Sequence, residues 1–175
     1  MKRMLFYAAL CLMTTFTLSA AQPDSVGYWV KVGQIAPDFR AELVDGSSFC
    51  LSQCKGKVVM LQFTASWCGV CRKEMPHIEK RIWQLHKNNP DFILLGIDRD
   101  EPIDKVQSFI KTTGISYPMA LDLGADIFAL YAERNAGITR NVLIGKDGKI
   151  VMLTRLFKED EFNLLVQTIN QLLKE

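Results

Sequence analysis

Apolar residues along this chain switch repeatedly between short unbroken runs and stripes at helical spacing. The clearest run covers residues 58–64 and is what a central strand buried on both faces requires. Residues 68–86 then carry Met75, Ile78, Ile82 and Leu85 on one stripe, which predicts a helix, with Pro76 inside it to kink it. Residues 92–97 read as a second buried strand. Residues 104–111 read as a second helix opened around Glu101-Pro102, 117–121 as a third strand and 125–132 as a short helix. Upstream, residues 38–43 and 48–51 form two short strands around the turn Asp45-Gly46. Downstream, 142–145 and 150–154 pair around Lys146-Asp147-Gly148. A last helix follows over 159–173, apolar at Phe162, Leu165, Ile169 and Leu172. Residues 22–34 form an irregular lead-in from which Tyr28, Trp29 and Val30 pack onto the domain. Strands alternating with helices predict an α/β fold whose mixed central sheet is covered on both faces.

The N-terminus changes the picture of the charge. Lys2 and Arg3 precede an apolar stretch over residues 4–13, and Ser19-Ala20-Ala21 supplies small residues for cleavage, so residues 1–21 read as an export signal removed after Ala21. An uncleaved membrane anchor over 4–21 is the alternative, diluted by Thr14, Thr15, Thr17 and Ser19. Cys11 has no small residue before it, which argues against a lipidated N-terminus. The chain has 175 residues, with 21 basic and 19 acidic side chains. Losing Lys2 and Arg3 leaves the two signs equal, so nothing suggests a polyanion-binding surface, and nucleic-acid binding is not expected. Residues 22–175 are one ordinary domain, expected to be monomeric.

An exported chain can keep disulfides, which brings Cys50, Cys54, Cys68 and Cys71 forward. Cys68 and Cys71 stand two residues apart where the strand over 58–64 gives way to a helix. There the first thiol meets free backbone N–H groups and the positive end of the helix dipole, which favour thiolate. The second lies one turn on, close enough to attack a mixed disulfide formed on the first. Cys68 is thus the expected attacking thiol and Cys71 the resolving one, with no cofactor beyond their own disulfide. Cys50 and Cys54 leave several readings open: a local disulfide, one exposed and one buried thiol, a second redox relay, or a metal site. His77 and His86 read as surface or packing residues.

The segments Val32-Gly33-Gln34-Ile35-Ala36-Pro37-Asp38-Phe39, Lys55-Gly56-Lys57-Val58-Val59 and Ser66-Trp67-Cys68-Gly69-Val70-Cys71-Arg72-Lys73-Glu74-Met75-Pro76 resemble the thioredoxin superfamily, most of all its exported TlpA/ResA-type branch. The resemblance implies a thioredoxin-like fold with an N-terminal β-hairpin extension and one extra strand–helix unit. It implies thiol-disulfide exchange with exported proteins, and an upstream thiol protein as electron donor, in a periplasmic or otherwise exported setting. Cytochrome c maturation is one role in the branch. Trp67 matches an aromatic residue that shields the reactive thiol. Glu74 matches an acid near the thiol pair that could take and return the Cys71 proton. Gly69 and Val70, between the cysteines, join Trp67, Ile138 and Thr139 as the substrate-facing set. Arg72, four residues after Cys68, could support the thiolate, though a solvent-facing role is the plainer one. One departure stands out: the family's cis-proline position falls on Thr139 in Gly137-Ile138-Thr139-Arg140-Asn141. A cis bond before a non-proline costs about 2.5–4 kcal/mol, which favours trans there. Ile138 and Thr139 should still flank Cys68, with the Thr hydroxyl as a new polar contact.

Two other functions compete. A thiol peroxidase would place a Thr three residues before the reactive Cys, where this chain has Ala65, with Thr64 one position out of register; Arg140 keeps that reading in play. A non-catalytic metal or partner carrier would use Cys50-x-x-x-Cys54.

Overall fold

The computed structural model describes residues 26–175, so the expected export signal lies outside the described residues. The strands are β1 (Arg40–Leu43), β2 (Ser48–Cys50), β3 (Val58–Thr64), β4 (Phe92–Arg99), β5 (Met119–Asp122), β6 (Arg140–Ile144) and β7 (Ile150–Arg155). They form one sheet in the order β2-β1-β5-β4-β3-β6-β7. Parallel pairing of β3 with β4 and of β4 with β5, flanked by antiparallel neighbours, makes the sheet mixed. Every residue of β3 is buried, as its apolar run requires of a strand covered on both faces. The β1–β2 hairpin extends the β5 edge. The lead-in docks through buried Tyr28 and Val30, with Tyr28 bridged to Ala132.

The helices are α1 (Gly69–Ile78), α2 (Gln84–His86), α3 (Ile103–Thr113), α4 (Asp126–Tyr131) and α5 (Glu159–Leu172), with a 3-10 turn at Leu51–Cys54 that ends the β1–β2 hairpin. Phe63 packs edge-on against Phe128 of α4, whereas Gln62 and Thr64 point to the α1 face. Two strand–helix units, β4–α3 and β5–α4, separate α1 from β6.

The helix expected over 68–86 is interrupted. Pro76 has no N–H to continue the ladder, and from Glu79 to Trp83 the chain makes wider π-helical turns, with the Glu79 N–H shared between the carbonyls of Met75 and Pro76. Those turns advance fewer degrees per residue and rotate the stripe. Met75, Ile78 and Ile82 are buried, but Leu85 is 68% exposed, which corrects its place in the stripe. His77 packs on Phe157 and His86 on Phe92, as packing histidines do.

Candidate active site

The chain leaves β3 at Thr64, crosses Ala65-Ser66-Trp67 and enters α1 with Cys68 as its N-cap. The cap atom is sulfur: Cys68 Sγ accepts the Cys71 backbone N–H at 3.1 Å. The two cysteines are joined as a disulfide, Cα to Cα 5.3 Å. They differ in access, Cys68 being 7% exposed and Cys71 fully buried. Thr139 sits against the pair, its Oγ1 3.1 Å from Cys68 Sγ and 3.3 Å from Cys71 Sγ. No peptide among the described residues is cis, that before Thr139 included. Trp67 is 60% exposed beside the pair, not in the core, and Arg99 lies over its ring at 5.2 Å. Gly69 is exposed, Val70 half-buried, and Ile138 buried in the core.

Below the pair the sheet carries a transverse row of residues in register: Gly96 on β4, Gln62 on β3, Asn141 on β6 and Thr154 on β7. Glu74, one turn past Cys71, lies over this row and is buried. Asn141 Nδ2 donates to Glu74 Oε1 at 2.7 Å and to Thr154 Oγ1 at 2.9 Å, and Gln62 Nε2 donates more weakly to Glu74 Oε2 at 3.5 Å. The Tyr117 hydroxyl donates to Gln62 Oε1 at 2.6 Å. Burial pushes the Glu74 carboxyl up to about 7 against the pull of its two amide donors. Such a carboxyl exchanges protons near neutrality. Of the residues in this network, Gln62, Asn141, Thr154 and Tyr117 were not anticipated. The readable signal was Gln62, an amide inside a run that buries all its neighbours, since a buried amide requires partners.

The loop before Cys68 is held from the other side. Glu101 accepts from the Ser66 N–H and, at 2.6 Å, from its hydroxyl. Asp98 on β4 is completely buried, and burial, then the neighbouring charge of Glu101, push its carboxyl up to about 8. Arg72 is exposed and serves as a clamp: its Nε donates to the Ser66 carbonyl at 2.8 Å and its guanidinium lies 4.9 Å from the Phe109 ring. No hydrogen bond joins it to either sulfur.

Cys50 and Cys54 are unpaired and both buried, so neither the local disulfide nor the exposed thiol is found. Cys54 donates toward the Cys50 carbonyl at 3.5 Å, and burial raises its thiol, which makes it a poor nucleophile. Among the described residues no group of three or more His, Cys, Asp or Glu is arranged to hold a metal. Arg140 alternates with Thr139 and Asn141 along the strand, which places it on the opposite face. There its Nε donates to the Gly137 carbonyl at 2.9 Å and its guanidinium stacks 4.3 Å from the Tyr28 ring. The arginine that kept a peroxidase in view is committed elsewhere.

A family model described as Redoxin matches residues 31–169. The thiol-disulfide oxidoreductase ResA of Bacillus thuringiensis subsp. konkukian is 31% identical over 154 residues, covering 85% of this chain and 83% of that protein. ResA of Halalkalibacterium halodurans is 32% identical over 121 residues, 69% of this chain and 66% of that one. A solution structure of a candidate protein disulfide isomerase from Bacteroides thetaiotaomicron superposes with a TM-score of 0.84 at 66% identity, covering 86% of this chain and 95% of the other. A candidate DsbE-type thiol:disulfide interchange protein from Chlorobium tepidum gives 0.72 at 26% identity, covering 82% and 99%. A mixed sheet with a cysteine pair capping the helix after its central strand, together with relatives of this kind, places the chain in the thioredoxin superfamily: it belongs to the Redoxin family and is a ResA-like thiol-disulfide oxidoreductase.

Proposed function

We propose that Cys68 is the attacking thiol and Cys71 the resolving thiol of an enzyme whose dithiol reduces disulfides of exported proteins and whose resulting Cys68–Cys71 disulfide is returned to the dithiol by an upstream thiol protein. The observation that carries this is the asymmetry of the pair. Cys68 caps α1, takes the Cys71 N–H on its sulfur and keeps some exposure, whereas Cys71 is wholly buried. A thiolate at Cys68 gains from that N–H and from the helix N-terminus. It attacks a client disulfide, forming a mixed disulfide and releasing one client thiolate. Cys71 then loses its proton and attacks Cys68 Sγ, so that the Cys68–Cys71 bond forms and the second client thiolate leaves. Glu74, with its carboxyl near neutrality and one turn from Cys71, is the group to take that proton and later return it.

The client edge is formed by exposed Trp67, Gly69 and half-buried Val70 on one side and by the Gly137–Thr139 loop on the other. Because Ile138 is buried, it is the loop backbone and not that side chain that meets the client. Export of the chain rests on the N-terminal pattern of residues 1–21. Among the described residues no helix is long and apolar enough to cross a membrane.

Insulin disulfide reduction tests the division of labour. Cys68→Ser is expected to abolish it and to trap no partner, and Cys71→Ala to accumulate mixed disulfides at Cys68. Full activity in Cys68→Ser overturns the proposal.

A further inference from the structure

The exchange chemistry above leaves one side chain at the sulfurs without a task. Thr139 Oγ1 lies within hydrogen-bond distance of both, at 3.1 Å from Cys68 and 3.3 Å from Cys71, and the residue is only 3% exposed. The hydroxyl is held in place on both sides of its own residue. The Thr139 carbonyl accepts the Leu156 N–H at 3.1 Å, and Asn141, two residues on and on the same face of the strand, is tied to Glu74 and Thr154. A hydroxyl carries one proton to donate and lone pairs to accept, and disulfide sulfurs make little use of either.

Reduction changes that. A donor dithiol gives up two electrons and closes to its own disulfide, while the Cys68–Cys71 bond opens to a Cys68 thiolate and a Cys71 thiol. Of the two protons released by the donor, one stays on Cys71 and one goes to solvent. The product therefore has a strong acceptor on one side of Thr139 Oγ1 and an S–H donor on the other.

We propose that Thr139 is a catalytic residue whose hydroxyl bridges the opened pair, donating to the Cys68 thiolate while accepting the S–H of Cys71. The inference rests on the assignment of Cys68 as attacker and Cys71 as resolver. The bridge favours the reduced form, because a hydrogen bond to a charged sulfur exceeds one to a neutral disulfide. It also serves the second step. Once Cys68 is tied up in a mixed disulfide its sulfur is a weak acceptor, and the Thr139 proton can turn to Cys71 as that thiol ionises. A proline in this position would carry no such donor, so this chain adds a hydroxyl where the resemblance implies none.

The test is titration of the reduced protein by its ultraviolet thiolate absorbance and by alkylation rate against pH, together with its equilibrium against a glutathione buffer. Thr139→Val, nearly the same shape without the hydroxyl, is expected to raise the Cys68 pKa by about one unit, a tenfold loss of thiolate below the midpoint. The redox equilibrium should move about tenfold toward the disulfide, which is about 30 mV. Thr139→Ser should restore both. Thr139→Ala should behave as Val does, and carries the test if Val disturbs folding. Wild-type titration and equilibrium in both Val and Ala would overturn the proposal. The titration needs no turnover, so a wild-type protein inert toward insulin would instead overturn the exchange reading.

Discussion

Glu74 shows how far a single side chain depends on its surroundings. In sequence it is an acid on a helix, as readily solvated as buried. In the fold it is 1% exposed between Asn141 and Gln62, and burial holds it at about 7. Glu74→Gln keeps the size and an acceptor oxygen but cannot exchange a proton. We expect resolution of the mixed disulfide to slow about 10²-fold, with loss of the limb near pH 7 in the pH–rate profile, read by acid quench and mass spectrometry. An unchanged limb would assign the proton transfer to another group. Thr139 makes the converse point: its departure from proline was visible in the chain, but not that its hydroxyl would meet both sulfurs.

At the scale of elements, strand register does the positioning. Pairing Gln62 with Asn141, and Asn141 with Thr154, lines up three polar side chains under α1, and a one-residue slip of β6 against β3 would turn Asn141 away from Glu74 to the opposite face. Gly96 completes the row by absence. A Cβ there would lie 2.1 Å from Met119 Sδ and 3.2 Å from the Tyr117 ring, so glycine is what lets Tyr117 cross β4 to reach Gln62. Gly96→Ala is expected to cost about 1–3 kcal/mol through overpacking, measured by urea unfolding. Wild-type stability would mean that Met119 moves aside freely. The strand that supplies Asn141 begins at Arg140, two residues before the start at residue 142 that the apolar pattern gives. The polar side chains of Arg140 and Asn141 concealed the start of the strand because their partners come from distant segments.

For the whole molecule, the buried carboxyls set how stability varies with pH. Glu74 at about 7 and Asp98 at about 8 stand above their ordinary values of 4.5 and 3.8. Between those limits the folded chain holds protons that the unfolded chain has released, so stability is greatest at the acid end and falls as pH rises through 7 to 8. The urea midpoint should drop between pH 5 and pH 8.5, by a stability on the order of a few kcal/mol. Glu74→Gln combined with Asp98→Asn should flatten that slope. A slope surviving in the double variant would locate the titration elsewhere. The order of strands and helices and the cysteine pair at the strand–helix junction were legible in the chain, because hydrophobic periodicity and helix-terminus signals act over a few neighbouring residues. The π-helical turn that exposes Leu85, the removal of Arg140 to the opposite face, the burial of both Cys50 and Cys54, and the partners of Glu74 were decided only in the fold. Each depends on which strand lies beside which, in what register, and so on contacts between residues far apart in sequence.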